Sequence, residues 1–465
     1  MVGELTDLIS PVVLKNYTAT GACELGTRDL ESLLFHPDRF DLMAKLVYGE
    51  AYLTRRARGW QAHLYREHIR AFNNFDERDG SGKQGAEAFF AEFHKVLDSP
   101  TSDVDSLNVI PVTTRGMILD GSHRLVRAHL RNEPLNLVYF EPRSSSYDYR
   151  FFIERGLQSD VADEIAFQYG QRNPRAHCLL LFPSASEHLK RAEQVIRKWS
   201  AIFFRKVIYW TDRAPHNVTA SLYYGEPWLG SFRNCFRGAG DKFKHCFTSK
   251  EPMVFYVLTT TTETELLSMK QELRDAFGIN NHSLHTSLNH AEKIRMLQVF
   301  LNENTVKWFN SAAPRYFPTF HKAFVRYQQT GNEAGSCLVG SSVFAAYGVR
   351  DARDLDCVID PTGTSIPVAE RHNEYLKQFM PVGRKVSDLI DDPRLHFYYF
   401  GTKIISLEFF NRIRWRRREW KDWKDQLRLA AFSLRNRITS SLFRSARSQP
   451  RACSVPDATV SKHPL

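Results

Sequence analysis

The chain has 465 residues, of which 43% are hydrophobic and 25% are charged, and this composition excludes a mostly disordered protein. The net charge of +11 favours anionic partners such as nucleotides, nucleic acid or membrane headgroups. The seven cysteines are scattered without a CxxC pair, which argues against a disulfide framework and a zinc site. No stretch approaches the roughly 20 apolar residues of a membrane helix. We therefore expect a cytoplasmic protein of two or three domains.

The first predicted domain, residues 1–145, starts with helical patterns and continues with strands. Apolar residues recur at three- and four-residue spacing over 38–53 and 86–97, which predicts two amphipathic helices. Strands are predicted at 108–112 and 135–140, and the segment between them, 117–130, contains the start of a predicted helix. The polar stretch 144–150 is interpreted as a linker.

Within the segment 117–130, Asp120, Gly121, Ser122, His123 and Arg124 open the predicted helix. Glycine allows the backbone to approach a phosphate, and a histidine and an arginine at a helix N-terminus add charge-assisted donors. The segment resembles the ParB/sulfiredoxin-like fold, in which an Asp-Gly-x-His-Arg motif follows a strand. The resemblance implies that these five residues bind a nucleotide or phosphate, with His123 as a catalytic candidate. Ser122 stands where sulfiredoxin needs a cysteine, which argues against that chemistry, and a solvent-facing amphipathic helix remains the alternative.

The middle segment, 155–312, alternates predicted strands and helices and contains a candidate phosphoacceptor, His285. With Arg274 upstream and a helix downstream, it resembles nucleoside diphosphate kinase, whose histidine carries the phosphoryl group. Two departures count against activity: the family's Lys-Pro-Asp is Phe-Pro-Ser at 182–184, and Thr286 replaces the glycine after the histidine. Polar residues also commonly cap helices. We interpret the segment as a degenerate domain that serves as a spacer or substrate platform.

The strongest motif lies in the third predicted domain, 313–434. A short apolar strand leads into Gly340-Ser341-Ser342, a helix follows, and Asp354 and Asp356 are predicted on the next strand. Alternate side chains of a strand share a face, so the two carboxylates would point the same way and hold Mg²⁺ between them. The Gly-Ser turn would bind a phosphate. This pattern resembles the polymerase-β-type nucleotidyltransferase superfamily, and the resemblance implies that both aspartates ligate metal. A turn followed by ordinary exposed aspartates is the alternative.

The same family uses a third carboxylate on a later strand, and Glu408, in the candidate strand 403–410, is the residue chosen here. A helix is predicted at 418–427; it contains Glu419, Lys421, Asp422 and Asp425. Residues 435–465 are rich in serine, arginine and proline, which predicts a disordered basic tail.

Together these patterns predict a multidomain α/β (α+β) protein that joins a ParB/sulfiredoxin-like domain to a nucleotidyltransferase-like domain. The expected function is Mg²⁺-dependent nucleotidyl or phosphoryl transfer from a nucleoside triphosphate to a small-molecule or sugar-phosphate acceptor. Surface-polysaccharide metabolism is the pathway considered first. A nucleic-acid enzyme, either a ParB-like nuclease or a nucleotide-adding enzyme, stays open because the basic run 412–418 would suit a phosphate backbone. A regulator that binds nucleotides without turnover also stays open.

Overall fold

The computed structural model describes residues 9, 11–25, 30–56, 59–77, 82–100, 108–141, 146–186, 188–260, 262–332, 334–361, 363, 366–417, 423–425 and 427–432. Within these ranges the strands form three separate sheets, each accompanied by helices. This mixture of helices and mixed sheets agrees with the predicted α/β class. The predicted tail at 435–465 lies outside the described residues.

The N-terminal sheet has the strand order β1-β3-β2, with β1 (Ala19–Leu25), β2 (Val109–Thr113) and β3 (Leu135–Phe140). β2 and β3 run parallel, and β1 pairs with β3 in the antiparallel sense. The accompanying helices are α1 (Pro11–Asn16), α2 (Leu30–Leu34), α3 (Leu42–Leu53), α4 (Gly59–Asn73), α5 (Ala86–Asp98) and α6 (Ser122–Arg131). The predicted strand, helix and strand between 108 and 140 are confirmed as β2, α6 and β3.

Residues 144–150, predicted to be a linker, are bonded into the N-terminal unit where the structure describes them. The Tyr147 backbone donates to the Asp38 carbonyl and accepts from Phe40, at 3.0 Å in each case. Asp148 then accepts hydrogen bonds from the first backbone N–H groups of α7 (Tyr149–Glu154). The linker interpretation was wrong because the pairing partner is far away in the sequence and leaves no local signature.

The middle sheet is antiparallel, with the order β5-β6-β4-β7. Its strands are β4 (Ala176–Leu181), β5 (Ala201–Ile208), β6 (Met253–Thr259) and β7 (Leu284–Thr286). The helices are α8 (Ser159–Arg172), α9 (Pro183–Ser186), α10 (Leu189–Trp199), α11 (Ala214–Leu222), α12 (Ala239–Cys246), α13 (Glu263–Phe277), α14 (His290–Phe300) and α15 (Glu303–Ser311). Strands β4 to β7 with α10 and α13 follow the βαββαβ order of a ferredoxin-like sheet, and the β5–β6 connection contains α11 and α12.

The C-terminal sheet is mixed, with the order β10-β9-β8-β12-β11. Its strands are β8 (Ser336–Val339), β9 (Asp356–Ile359), β10 (Glu370–Arg371), β11 (His396–Tyr399) and β12 (Thr402–Ile405). The helices are α16 (Pro318–Gln328), α17 (Ser342–Ala346), α18 (Asn373–Lys377), α19 (Asp388–Asp391) and α20 (Leu407–Arg417). β8 is antiparallel to β9 and parallel to β12, so the start of β9 and the ends of β8 and β12 meet at one edge.

One continuous cluster of buried apolar side chains runs through the three units. Tyr169 of α8 stacks on Phe203 of β5 and donates a 2.9 Å hydrogen bond to the carbonyl of Phe35. Asn304 of α15 donates to the carbonyls of Arg394 and His396 beside and within β11. The sheets are therefore joined by buried contacts, because isolated small units would leave apolar faces in water.

Candidate functional site

A turn at Gly340, directly after β8, lies at the edge of the C-terminal sheet where β9 starts and where β8 and β12 end. Gly340 has a φ of 64°, in the left-handed region that glycine adopts without strain. Val339 is paired with Asp356, so the turn lies directly beside the first residue of β9. A Cβ atom added to Gly340 would overlap the Asp356 carboxylate. The glycine therefore allows the backbone and this carboxylate to lie in contact.

Asp356, Glu370 and His372 form a group in which one ligand atom of each lies within 4.8 Å of the others. The parallel pairing of β10 with β9 places Glu370 opposite Asp356. His372 Nε2 lies 3.4 Å from Asp356 Oδ1 and 3.6 Å from Glu370 Oε1. The Asp356 and His372 side chains are 16% and 22% exposed, whereas Glu370 is 74% exposed. Two carboxylates and an imidazole that converge in this way are suitable ligands for a divalent cation.

Sequence reasoning missed Glu370 and His372, although a signal was present. A Glu-x-His spacing in an extended segment can place two potential ligands on one face, and here β10 consists of Glu370 and Arg371, with His372 directly after it. What could not be read from the sequence was the pairing of the two-residue strand β10 with β9.

Asp354 does not lie on the strand, contrary to the prediction. It is exposed in a bend, and β9 begins two residues later at Asp356. The ladder starts there because β8 has already turned away at Gly340, so residue 354 has no strand opposite it. Asp354 is accordingly not a member of the group formed by Asp356, Glu370 and His372.

Glu408 was also predicted on a strand, and this placement was wrong. β12 ends at Ile405, and Glu408 lies in the first turn of α20. Ser406 starts the helix, since its buried hydroxyl accepts a hydrogen bond from the backbone of Phe409 at 3.4 Å. The Glu408 carboxylate is 63% exposed and forms an ion pair with Arg412 at 2.6 Å. α20 begins at the sheet edge where β9 starts with Asp356, but Glu408 does not belong to the group of three ligands.

The serines of the Gly-Ser turn have different positions. Ser341 is the residue that precedes α17, and its carbonyl accepts from Phe344 at 3.0 Å. Ser342 is fully buried, and its hydroxyl has no hydrogen-bond partner within the described residues. A buried hydroxyl without a hydrogen-bond partner lowers the stability of the fold by about 1–3 kcal/mol, so the surrounding packing must offset this cost at Ser342.

The helix predicted at 418–427 is only partly covered, because Glu419, Lys421 and Asp422 lie outside the described residues. Asp425 is described, and it accepts two hydrogen bonds from Arg350 at 2.8 and 2.7 Å. Arg414, one of the arginines in the basic run, is 1% exposed and lies over the ring of Phe344. This arginine of the basic run therefore packs in the core.

The N-terminal turn at Asp120–Arg124 is held by its own side chains. Gly121 has a φ of 79°, and the Arg124 guanidinium occupies the space where a Cβ would lie. Arg124 donates to the carbonyl of Val109 at 2.8 Å and lies 3.4 Å from the Asp120 carboxylate. The arginine therefore fixes the turn between β2 and α6.

Behind Ser122 lies a buried charge cluster that the sequence did not reveal. Lys45 of α3 donates to the Ser122 hydroxyl at 2.7 Å and to Asp41 at 2.6 Å. Asp41 also accepts two hydrogen bonds from Arg39, each of 2.9 Å. Burial alone would raise the pKa of Asp41, but Arg39 and Lys45 outweigh it and hold the pKa well below its usual range.

His123 is packed within this unit, and it differs from the protonated donor expected at the turn. Its ring stacks on Phe93 with 4.2 Å between centroids, and its Nε2 lies 3.0 Å from the Tyr65 hydroxyl. Burial, followed by the charge of Lys45, lowers the pKa of His123 well below its ordinary value. The imidazole is therefore neutral at neutral pH, and its Nε2 shares a hydrogen bond with the Tyr65 hydroxyl.

His285 lies on β7 and not at the start of a helix as expected. Its Nε2 lies 2.9 Å from Glu292, and its Nδ1 lies 3.3 Å from the Tyr223 hydroxyl. Helix α14 starts at His290 and is capped by Asn289, whose side chain accepts from the Glu292 backbone. Both ring nitrogens of His285 thus have a neighbour in the protein.

No protein-family model, curated protein or solved structure matches the chain. Among the described residues, every helix is too short or too polar to cross a bilayer.

Proposed function

We propose that the C-terminal unit binds a divalent cation and transfers a nucleotidyl or phosphoryl group from a nucleoside triphosphate to a small-molecule or sugar-phosphate acceptor. The observation that carries the proposal is the convergence of Asp356, Glu370 and His372 beside the Gly340 turn. The resemblance to polymerase-β-type nucleotidyltransferases supports it, since that family also places a carboxylate next to a Gly-Ser turn.

The ligand set fits Mg²⁺ or Mn²⁺, because carboxylates suit both ions and an imidazole nitrogen is better tolerated by Mn²⁺. A bound cation would polarise a phosphoryl oxygen and neutralise charge that develops during transfer. Asp356 and His372, which are largely buried, would fix its position, while the exposed Glu370 can adjust. Because Gly340 has no side chain, its backbone lies directly against the Asp356 carboxylate that would hold the cation.

A comparison of Asp356→Asn with Asp354→Asn tests the proposal. Both substitutions remove one negative charge at nearly the same place in the sequence, but only Asp356 belongs to the ligand group. We expect Asp356→Asn to weaken Mn²⁺ binding, followed by electron paramagnetic resonance, by about tenfold or more, and Asp354→Asn to leave it nearly unchanged. Equal binding by wild type and Asp356→Asn would exclude the site.

Release of pyrophosphate and of nucleoside diphosphate from ATP, CTP, GTP and UTP should then be measured for the same proteins. Pyrophosphate identifies nucleotidyl transfer and nucleoside diphosphate identifies phosphoryl transfer, and either should disappear with Asp356→Asn. Product release that survives Asp356→Asn would place the chemistry elsewhere in the chain.

A nucleotide-binding regulator without turnover is the second candidate, and one observation favours it. The resemblance implies three carboxylate ligands, yet neither Asp354 nor Glu408 joins Asp356 in the ligand group. A site with fewer acidic ligands holds its cation less strongly. Metal-dependent nucleotide binding in calorimetry, with no product for any of the four nucleotides and a panel of sugar-phosphate acceptors, would identify a regulator.

A further inference from the structure

The middle unit contains an open pocket of about 550 Å³, the size of a site for a small organic ligand. Its lining comes from several separate elements: the end of α11, the following 3₁₀ turn, α12, α13 and β7. The lining residues that matter here are Tyr223, Trp228, Lys242, Lys270, Arg274 and His285. The pocket is formed largely by the long β5–β6 connection and by the edge strand β7.

Three cationic side chains line this pocket, and their charges repel one another. Lys270 and Arg274 are four residues apart on α13, where like charges destabilise a helix. Lys242 approaches from α12, and burial followed by the nearby Arg274 charge lowers the pKa of Lys270. Burial also lowers the pKa of Lys242, and Arg274 adds to the effect. The charge of Arg274 therefore disfavours the charged forms of both lysines.

The neighbouring acids are already engaged. Glu292, whose charge acts on Lys270, lies 2.9 Å from His285 and accepts the backbone N–H of Leu288 at 2.7 Å. Asp241 also lines the pocket, but its side chain is 88% exposed and paired with Lys244. The Nε of Arg274 is buried and has no hydrogen-bond partner in the part of the chain that the structure describes.

The pocket also has an aromatic wall. Tyr223 and Trp228 lie with their ring centroids 5.1 Å apart, and the Trp228 side chain is 46% exposed. Tyr223 is fixed by an edge contact with His285, at 5.0 Å between centroids. An exposed tryptophan next to a fixed tyrosine offers a flat apolar surface on which a ring can stack.

We propose that this pocket binds a small phosphate ester whose flat ring stacks on Trp228 and whose phosphate is held by Lys242, Lys270 and Arg274. The phosphate offsets the repulsion among the three cations and accepts charge-assisted hydrogen bonds from their side chains. The aromatic wall supplies selectivity for a ring over a bare ion. The site does not depend on the metal ligands of the C-terminal sheet, which lie in a different unit.

The first test is calorimetric titration of the full chain with AMP, adenosine and inorganic phosphate in EDTA. The Asp356→Asn background removes binding at the proposed metal site, so a signal that survives belongs elsewhere. We expect AMP to bind, adenosine to bind much more weakly because it lacks the phosphate, and phosphate alone to bind with intermediate strength. AMP and adenosine binding equally, or no binding of AMP, would overturn the proposal.

Two pocket variants and a matched control localise the signal. Lys270→Gln/Arg274→Gln should weaken AMP binding by about tenfold or more, whereas Lys190→Gln/Arg197→Gln removes the same charge from exposed positions on α10 and should have no effect. Trp228→Ala should weaken AMP but leave inorganic phosphate unchanged. AMP binding that is untouched by Lys270→Gln/Arg274→Gln would refute the site.

Folding of the pocket variant can be checked independently of the ligand. Because Lys270→Gln/Arg274→Gln removes repelling charges, its thermal midpoint without ligand should equal or exceed that of the wild type. A midpoint below the wild type would contradict the repulsion between Arg274 and the lysines on which the proposal depends. Tight binding of a single-stranded RNA oligonucleotide without any AMP binding would also overturn it, in favour of a macromolecular partner.

Discussion

The glycine turns at Gly121 and Gly340 have similar local structure but opposite electrostatic surroundings. Each glycine has a positive φ, follows a strand and precedes a helix. At the N-terminal turn, Ser122 contacts a lysine that belongs to a buried cluster with two cations and one acid. At the C-terminal turn the neighbouring side chains are two acids and a histidine. The same local motif therefore lies beside an internally paired charge cluster in one unit and beside three potential cation ligands in the other.

The two turns also differ in whether their polar side chains are paired with each other or exposed to solvent. The polar groups near Gly121 are mostly held by each other: Lys45 by Asp41, and His123 by Tyr65. Near Gly340, Glu370 is 74% exposed and lies 3.6 Å from His372. The N-terminal turn therefore contributes mainly to stability as it stands, and the C-terminal turn offers ligands. The following predictions test this distinction, from the largest expected effect to the smallest.

Asp41→Asn should destabilise the protein most. Asp41 is fully buried, so its loss leaves Arg39 and Lys45 as buried charges without their acid, and this costs about 3–5 kcal/mol. Urea unfolding at pH 7 measures the loss. Asp120→Asn is the matched control, because Asp120 is 47% exposed and lies 3.4 Å from Arg124. A loss below 1 kcal/mol for Asp41→Asn would show that the N-terminal cluster is not structural.

His68 should make the N-terminal unit sensitive to acid. Burial, followed by the Lys45 charge, lowers the pKa of His68 from 6.5 to about 3. Between these two pH values the unfolded chain therefore binds a proton at this histidine and the folded chain does not. The contribution of neutral His68 to the free energy of unfolding is fully present above pH 6.5 and is lost as the pH falls toward 3. Between pH 6.5 and 5 the free energy of unfolding of His68→Leu should therefore fall by about 2 kcal/mol less than that of the wild type, as measured by urea unfolding. If the free energy of unfolding falls equally with pH in the wild type and in His68→Leu, His68 is not a buried neutral imidazole. The control is His290→Gln, because His290 is exposed.

Gly340→Ala should affect stability and metal binding together. The left-handed φ of 64° costs an alanine about 1–2 kcal/mol, and the new methyl group would push against Asp356. Gly121→Ala has the same backbone cost, but its methyl group meets only the movable end of Arg124. Gly335→Ala, with open space around it, is the control. If Gly340→Ala binds Mn²⁺ as strongly as Gly121→Ala does, the turn does not position the Asp356 carboxylate.

Glu408→Gln should have almost no effect. Its ion pair with Arg412 is exposed on both sides, and such pairs contribute within about 0.5 kcal/mol. Mn²⁺ affinity should stay at the wild-type value because Glu408 is not in the ligand group. A tenfold loss of Mn²⁺ affinity, seen by electron paramagnetic resonance, would show that Glu408 moves to the metal and would restore a third carboxylate to the site.

The order of elements and the position of the turns were determined by the sequence, because they depend on residues close together in the chain. Alternating and 3.6-residue apolar patterns predicted β2, α6, β3 and β8. Gly121 and Gly340 indicated turns because glycine adopts a positive φ without strain, and both residues have a positive φ in the structure. Where strands ended was less visible: Asp354 and Glu408 stand just outside β9 and β12.

Which side chains meet was decided only by the tertiary structure. Lys45 reaches Ser122 through the packing of α3 against α6, and Glu370 reaches Asp356 through the pairing of a two-residue strand. Strand ends, likewise, depend on where the neighbouring strand stops, as β8 stops at Gly340 and leaves Asp354 unpaired in the ladder. Contacts between residues far apart in the chain depend on the shape of the whole core, and a local pattern contains no record of them.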